Sequence, residues 1–240
     1  MTRGPESAIG VISELTKQLV SSTNMVQTAY AACSGCAHVF SAALAGVLIS
    51  SNGNGLKVIA SSLEDNSALD LLEIQWQQDS GLKLMTNQKS HEFIDIDGDL
   101  GDSPFAVMAR DLGYRSTLSV PLTLRQTRVG VISVLWSEKR EISDHDVTIL
   151  NAFADLTSAS LFAEEVETNE QNLIILLERT YQNRVRIEQA KGMVAAARDC
   201  SLQQAFHLMG IFALGINITL TALAQLIVSR HVDARLESPE

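Results

Sequence analysis

The sequence lacks the patterns on which several classes of function depend. Its 240 residues include three cysteines, an odd number that argues against a disulfide framework. It contains no phosphate-binding glycine loop, no nucleophile elbow and no His-Glu-x-x-His zinc motif. We therefore expect a protein that is not an enzyme and that holds no cofactor. An enzyme with an unrecognised pocket is the weaker alternative, because no acid–base constellation is visible.

Charged residues of either sign are absent from one long stretch, Cys200 to Ser229. That stretch is long enough to span a bilayer, but it contains polar residues such as Gln203 and Asn217, whose insertion into lipid is costly. Glu14 and Lys17 interrupt the apolar residues near the N-terminus, which an export signal does not tolerate. We therefore expect a cytoplasmic protein without a membrane partner.

The formal net charge of −10 is unevenly placed along the chain. All of the excess negative charge lies in residues 1–167, whereas residues 168–240 contain equal numbers of basic and acidic residues. The acidic N-terminal part repels phosphate backbones. Any nucleic-acid contact is therefore expected in the C-terminal part.

Hydrophobic periodicity predicts a mixed sheet-and-helix domain in the first two thirds of the chain. Ile9 to Leu19 has the apolar spacing of a helix, and Ser143 with Asp146 is a capping pattern for a helix from Asp144 to beyond Glu165. Strand patterns occupy five segments: Ala45–Ser50, Leu56–Ser62, His91–Asp97, residues 115–124 and Val129–Trp136. An Asn-Gly turn joins the first two strands as a hairpin.

Three stretches of this region, "AGVLISSNGNGLKVIASS", "GYRSTLSVPLTLRQTRVGVISVLW" and "ISDHDVTILNAFADLTSASL", resemble the GAF sensory domain. The resemblance covers about residues 25–165. It implies a central antiparallel sheet with helices on one face and a small-molecule pocket on the other. We expect apolar pocket walls from six residues: Val47, Ile49, Trp76, Phe105, Val120 and Trp136.

The resemblance has one departure that affects the pocket. Many similar GAF domains contain a Gly-Pro-Cys turn where this chain has "DSGLKLMTNQ", so a filled core without a cavity is the alternative. No cysteine lies where a bilin would attach, and nothing marks the cyclic-nucleotide subfamily.

Two local patterns in this region suggest a metal or redox site, but we favour a structural role for each. Cys33 and Cys36, with His38 nearby, suggest a metal or redox site, but they lie inside a predicted helix and suit small core residues. The acidic cluster of Asp95, Asp97, Asp99 and Asp102 lacks the ligand spacing of a calcium loop, which favours a solvated loop. We therefore expect no metal site.

The C-terminal part contains "NRVRIEQAKGMVAA" and "CSLQQAF", which resemble the ANTAR domain over about Asn183 to Val228. The resemblance implies a small helical bundle that binds paired stem-loops in nascent RNA and thereby stops a terminator hairpin from forming. We expect RNA contacts from seven residues: Arg184, Arg186, Gln189, Lys191, Gly192, Arg198 and Asn217. Arg186 and Lys191 are expected to face solvent, and Arg184 and Lys191 to project on nearly the same side.

The charge-free stretch departs from ANTAR relatives, which place arginines where this chain has "MGIF" (209–212) and "ITL" (218–220). Exposed apolar surfaces of this size usually mark an interface. Either this surface is covered by a dimer partner or by the GAF domain, or the affinity for RNA has decayed. We favour a covered surface.

The predicted fold class is α+β: a GAF domain followed by a small all-α bundle. The predicted segments are an N-terminal helix (1–24), the GAF domain (25–165), a helical linker (166–182) and the ANTAR domain (183–235). The predicted function is a signal-controlled antiterminator that binds RNA and not DNA. The alternative is a dimeric protein-interaction regulator that has lost RNA binding. We expect a homodimer through Ile9–Leu19 and the linker, because amphipathic helices need a partner surface.

Overall fold

The computed structural model describes residues 25–50, 55–63, 65–76, 84–86, 89–98, 101–161, 170–216 and 218–236. The chain divides into two compact units, residues 1–177 and residues 178–240, and each is described here by itself. The predicted N-terminal helix lies outside the described residues. The side chains of the predicted linker up to residue 180 lie outside them as well.

The first unit alternates helices and strands. Its strands are β1 (Leu44–Ser50), β2 (Leu56–Ser61), β3 (Glu92–Asp95), β4 (Ser116–Leu124) and β5 (Thr127–Trp136). Its helices are α1 (Met25–Phe40), α2 (Asn66–Gln75), α3 (Pro104–Asp111) and α4 (Asp144–Leu161). Local chemistry explains several boundaries. For example, the Ser103 side chain caps α3, and Pro104 occupies its first turn, where a missing N–H costs nothing.

The five strands form one antiparallel sheet in the order β2-β1-β5-β4-β3. The long strands β4 and β5 form a hairpin, and Arg125 adopts a positive φ of 56° in its tight turn. The predicted strands and the predicted antiparallel sheet are therefore confirmed.

Helices cover both sides of the sheet, because successive residues of a strand point to opposite sides and both sets are apolar. On the α1/α4 side, these two helices pack against each other and against the sheet. The indole N–H of Trp136 donates to the Phe40 carbonyl at 3.0 Å, and the two rings meet edge to face. On the α2/α3 side lies a buried core cluster that includes Leu48, Leu72 and Leu135.

The second unit contains three helices in its described part: the end of α5 (Glu170–Arg198), then α6 (Leu202–Gly215) and α7 (Leu220–Val228). Ser201 and Gln204 form a reciprocal capping box at the start of α6, and Thr219 caps α7. The bundle core consists of small and branched apolar residues: Ile187, Ala190, Val194, Ala205, Met209, Ala213, Leu220, Leu223, Ala224 and Ile227.

The hydropathy of the charge-free stretch does not produce one long helix. Within the described residues, no helix by itself has both the length and the hydropathy that crossing a bilayer requires. The helices α6 and α7 reach that hydropathy only as a pair, and they meet at an angle of 108°.

The backbone of β1 leaves no room for a side chain at Gly130 of β5, where a Cβ atom would clash with the carbonyl oxygen of Leu48. We predict that Gly130→Ala lowers the free energy of unfolding of the first unit by ~2–3 kcal/mol, the cost of overpacking against rigid backbone. Urea unfolding followed by tryptophan fluorescence measures this, because both tryptophans lie in the first unit. Gly192→Ala, where a Cβ meets nothing within 4 Å, should leave that transition unchanged.

Candidate functional site

Two of the predicted RNA-binding cations lie inside the second unit and not on its surface. Lys191 is 0% exposed and Arg184 is 4% exposed. Both contact the carboxylate of Glu188, Lys191 at 2.7 Å and Arg184 at 3.4 Å. The Lys191 ammonium also lies 5.9 Å from the centre of the Phe206 ring, within the range of a cation–π contact.

The prediction that Lys191 faces solvent is therefore wrong in this structure, although Arg184 and Lys191 do project on the same side of α5. The cause is Glu188, which stands four residues after Arg184 and three before Lys191 and so reaches both cations. A carboxylate at that spacing allows two cations to be buried, because each keeps an opposite charge nearby. The spacing of Glu188 relative to the two cations is visible in the sequence. The charges alone do not show, however, which side of the helix packs against the rest of the bundle.

The remaining predicted RNA-binding residues have different surroundings. Arg186, Gln189 and Gly192 are exposed and follow one another at three-residue steps, which places them along one stripe of α5. We call these three residues the α5 stripe. Arg198 is exposed at the end of the helix, where its guanidinium donates to the Leu236 carbonyl at 3.3 Å. Asn217 lies outside the described residues.

The α5 stripe offers the chemistry that RNA recognition uses. The exposed Arg186 guanidinium donates to a neutral group, the Asn183 side-chain oxygen, at 3.4 Å, and its positive charge can attract a phosphate. Gln189 presents both donors and acceptors, as hydrogen bonding to unpaired bases requires. No atom lies within 4 Å of the position that a Cβ atom would take at Gly192, which allows a ligand to approach the backbone closely.

The six predicted pocket residues of the first unit are all buried, but the structure does not bring them together on one side of the sheet. Trp76 and Phe105 belong to the core cluster on the α2/α3 side. Val47, Ile49 and Trp136 alternate with residues of that cluster along β1 and β5 and so face the α1/α4 side. Val120 faces the same side, because it pairs with Ile132 of β5, which lies next to the cluster residue Val131. The strands are apolar on both sides, so no alternation of polar and apolar residues shows which side of the sheet each residue faces.

Sequence reasoning missed a buried polar cluster on the α2/α3 side. The Gln75 amide lies 3.4 Å from the Thr117 hydroxyl and 3.3 Å from the Ser119 hydroxyl, and Ser119 hydrogen bonds to Ser133 at 2.8 Å. Among the described residues, the side-chain oxygen of Gln75 and the indole nitrogen of Trp76 are buried without a hydrogen-bond partner. Buried polar atoms normally have a partner, so this cluster has hydrogen-bonding capacity to offer a polar ligand or water.

Three residues of the acidic cluster at the end of β3 and beyond it each pair with a neighbouring cation. Asp95 pairs with Lys139, whose hydrogen bond lowers the pKa of that carboxyl, Asp97 lies 3.6 Å from Arg115, and Asp102 lies 3.5 Å from Arg110. Asp99 lies outside the described residues. Among those that are described, no three metal-ligating side chains gather in one place.

Cys33 and Cys36 are fully buried in α1. Burial, together with the neighbouring Cys33, raises the pKa of the Cys36 thiol well above its ordinary value. Redox and metal-binding cysteines need the thiolate form, so these surroundings oppose both functions.

Comparisons with known proteins identify two family domains, one in each compact unit of the chain. The family model described as the GAF domain matches residues 24–161, and the one described as the ANTAR domain matches residues 176–228. No curated protein sequence matches significantly.

Solved structures resemble the chain at low sequence identity. A phycocyanobilin-bound GAF domain from a cyanobacterial phytochrome has a TM-score of 0.54 at 14% identity, covering 67% of this chain and 98% of that chain. The GAF domain of a phosphoenolpyruvate-protein phosphotransferase from Coxiella burnetii has a TM-score of 0.53 at 12% identity, covering 66% and 94%. At such low sequence identity, this structural similarity shows the fold alone.

We predict that thiol labelling distinguishes the three cysteines. Cys200 is only half-buried, so iodoacetamide should modify it at pH 8 in the folded protein. Cys33 and Cys36 should stay unmodified because both are buried, and the raised pKa of the Cys36 thiol protects it further. Peptide mass spectrometry of native and urea-unfolded samples measures this. Fast labelling of Cys36 in the native sample would contradict the assignment to the core.

We predict that Glu188→Ala destabilises the second unit by ~2–3 kcal/mol, because it removes the carboxylate that both buried cations contact. The value is set below the ~3–5 kcal/mol of a fully buried pair because the Glu188 side chain is 31% exposed. Gln189→Ala, at the neighbouring exposed position, is the matched control and should stay within about 0.5 kcal/mol. Urea unfolding followed by far-UV circular dichroism gives both values, and equal effects would refute the structural role of Glu188.

Proposed function

The chain belongs to the GAF domain family and carries an ANTAR domain after the GAF domain, and from this premise we propose that it is a sensory regulator that binds RNA stem-loops and controls transcription antitermination. The observation that carries the proposal is the ANTAR match over residues 176–228. A signal received by the GAF domain would alter the RNA binding of the ANTAR domain. GAF and ANTAR are regulatory domains, and the proposed action needs no catalysis.

The proposed RNA contacts are the exposed members of the predicted set. Arg186 supplies a charge for a phosphate, Gln189 and Asn217 supply hydrogen bonds for base edges, and Arg198 adds a second cation at the end of α5. Arg184 and Lys191 are proposed to position α5 and α6 through Glu188 and Phe206, without touching RNA themselves. This division follows from burial, because a side chain that water cannot reach cannot contact a phosphate either.

The proposed signal at the GAF domain is a small molecule bound on the α2/α3 side of the sheet. The polar atoms of Gln75 and Trp76 provide the orienting hydrogen bonds, and the surrounding core cluster provides apolar walls, which together are typical of a ligand site. Of the predicted pocket residues, Trp76 and Phe105 stay in this proposal because they lie on that side. We also propose a cytoplasmic homodimer, as the sequence suggests.

A second candidate function is a dimeric protein-interaction regulator that has lost RNA binding. The observation that favours it is the burial of Arg184 and Lys191, which removes two of the predicted cations from contact with phosphates. Each lost phosphate contact weakens RNA binding and its salt dependence. The absence of measurable affinity for a two-hairpin RNA at low salt would favour this candidate.

We predict that Arg186→Ala and Arg198→Ala each weaken binding to a two-hairpin RNA and each reduce the slope of log affinity against log salt by ~1. Lys139→Ala removes the same charge from the first unit and is the matched control, with no change in slope expected. Filter binding or fluorescence anisotropy across a salt series measures the slopes. Unchanged slopes in both arginine variants would refute the proposed contacts.

Lys191→Met tests the positioning role separately, because it keeps a buried aliphatic side chain against Phe206 and removes only the charge. If this variant is folded, it should keep the salt slope of the parent. A slope reduced by a full unit would instead place Lys191 in contact with RNA.

A further inference from the structure

A carboxylate lies beside the buried polar cluster, on the edge strand of the sheet. Glu92 of β3 pairs in register with Ser119 of β4. Residues directly opposite each other on antiparallel strands project on the same side, with their Cβ atoms ~5 Å apart. Ser119 contacts Gln75 on the α2/α3 side, and Ile94, two residues after Glu92, belongs to the core cluster of that side. Glu92 therefore adds a carboxylate to the polar cluster.

The Glu92 carboxylate is buried, and one of its two oxygens lacks a donor. The Glu92 side chain is 4% exposed. Its Oε1 accepts from the Lys89 ammonium at 3.4 Å, whereas its Oε2 has no hydrogen-bond partner among the described residues. Burial of a carboxylate oxygen without a donor is costly. The Lys89 side chain is 49% exposed, so this carboxylate lies at the rim of the cluster, close to solvent.

The unpartnered atoms of the cluster define the chemistry of a complementary ligand. Glu92 Oε2 and Gln75 Oε1 are acceptors, and the indole N–H of Trp76 is a donor. A ligand that satisfies all three atoms brings N–H groups for the two oxygens and one acceptor for the indole. A protonated nitrogen forms a charge-assisted hydrogen bond with a carboxylate, which is stronger than a bond between neutral groups.

This inference rests on the proposed ligand site on the α2/α3 side of the GAF domain. We propose that the ligand is a small organic amine, whose ammonium group binds Glu92 and Gln75 and whose acceptor atom binds the indole of Trp76. The core cluster around these atoms supplies apolar contacts for the carbon skeleton of the amine.

The neighbouring charges are compatible with an amine and oppose two other classes of ligand. Lys89 contacts Oε1 of Glu92, and Arg128 donates to the backbone carbonyls of Leu84 and Lys89, so the contacts of both cations leave Oε2 of Glu92 without a donor. An anionic ligand would be repelled by Glu92. A metal ion needs more ligands, and in the described part of the chain no three metal-ligating side chains gather.

Three probes that share a carbon chain and a hydroxyl group test the class of ligand. Aminobutanol, butanediol and hydroxybutyrate differ in the second end, which is an ammonium, a hydroxyl or a carboxylate. Isothermal titration calorimetry of the full chain at fixed ionic strength gives the three affinities. Aminobutanol should bind at least about tenfold more tightly than butanediol, because its hydrogen bond to Glu92 is charge-assisted, and hydroxybutyrate should bind most weakly. Equal affinities for aminobutanol and butanediol, or no binding of aminobutanol, would overturn the proposal.

Glu92→Gln tests whether the carboxylate recognises the ammonium. The variant keeps the shape of the side chain and one oxygen acceptor, so its affinity for aminobutanol should fall at least about tenfold while its affinity for butanediol stays unchanged. Glu138→Gln makes the same change at an exposed position of the first unit and should bind like the parent. Unchanged aminobutanol binding in folded Glu92→Gln would overturn the proposal. Urea unfolding checks the fold, and the order of the three probes on the parent needs no variant.

Lys89→Gln separates ligand recognition from a structural role of the ion pair. This variant breaks the contact between Lys89 and Glu92 but keeps the carboxylate, so it should not weaken the binding of aminobutanol. A loss of affinity equal to that of Glu92→Gln would show that the ion pair serves only the local structure, and it would overturn the proposal.

Binding of a two-hairpin RNA by the parent separates this inference from the proposed RNA function. Selective binding of aminobutanol that depends on Glu92 supports the inference even if the chain binds no RNA, a result that would refute the RNA function alone. Conversely, RNA binding without any preference for aminobutanol would overturn the inference and leave the RNA function standing.

Discussion

The carboxylate of Glu188 is the contact on which the organisation of the second unit depends. It lies within reach of both Arg184 and Lys191, so each of these buried cations has an opposite charge nearby. The aliphatic part of Lys191 then becomes core, and its ammonium rests over the Phe206 ring of the next helix. The apolar residues Ile187, Ala190 and Val194 turn one side of α5 towards the core, and Glu188 allows the two cations to be buried with them.

That orientation separates two surfaces with different chemistry. Outside α5 lie Arg186, Gln189 and Gly192, which can serve a polyanion with exposed bases. The outer face of α6 offers aliphatic side chains without any charge. Electrostatic attraction would govern binding at the first surface and the hydrophobic effect binding at the second, so a change of salt concentration should affect the two in different ways.

The sequence predicted much of the fold because its local patterns and its packing agree. Alternation in β4 and β5 and the capping pattern of Ser143 with Asp146 each specify an element whose apolar residues are buried. The candidate sites were harder to predict. The sheet is apolar on both sides, so Val47 and Leu48 look equivalent in sequence although they face opposite helices. The burial of Lys191 depends on which side of α5 meets α6, and this is decided by tertiary packing that a basic residue does not reveal.

The burial of two cations limits how strongly α5 could hold a polyanion. Arg186 and Arg198 are exposed, whereas Arg184 and Lys191 are buried. Counterion release grows with the number of phosphate contacts, so two exposed arginines would give a weaker and less salt-dependent attraction than all four cations. Any further affinity for RNA would have to come from hydrogen bonds to unpaired bases, for which Gln189 is exposed one turn after Arg186.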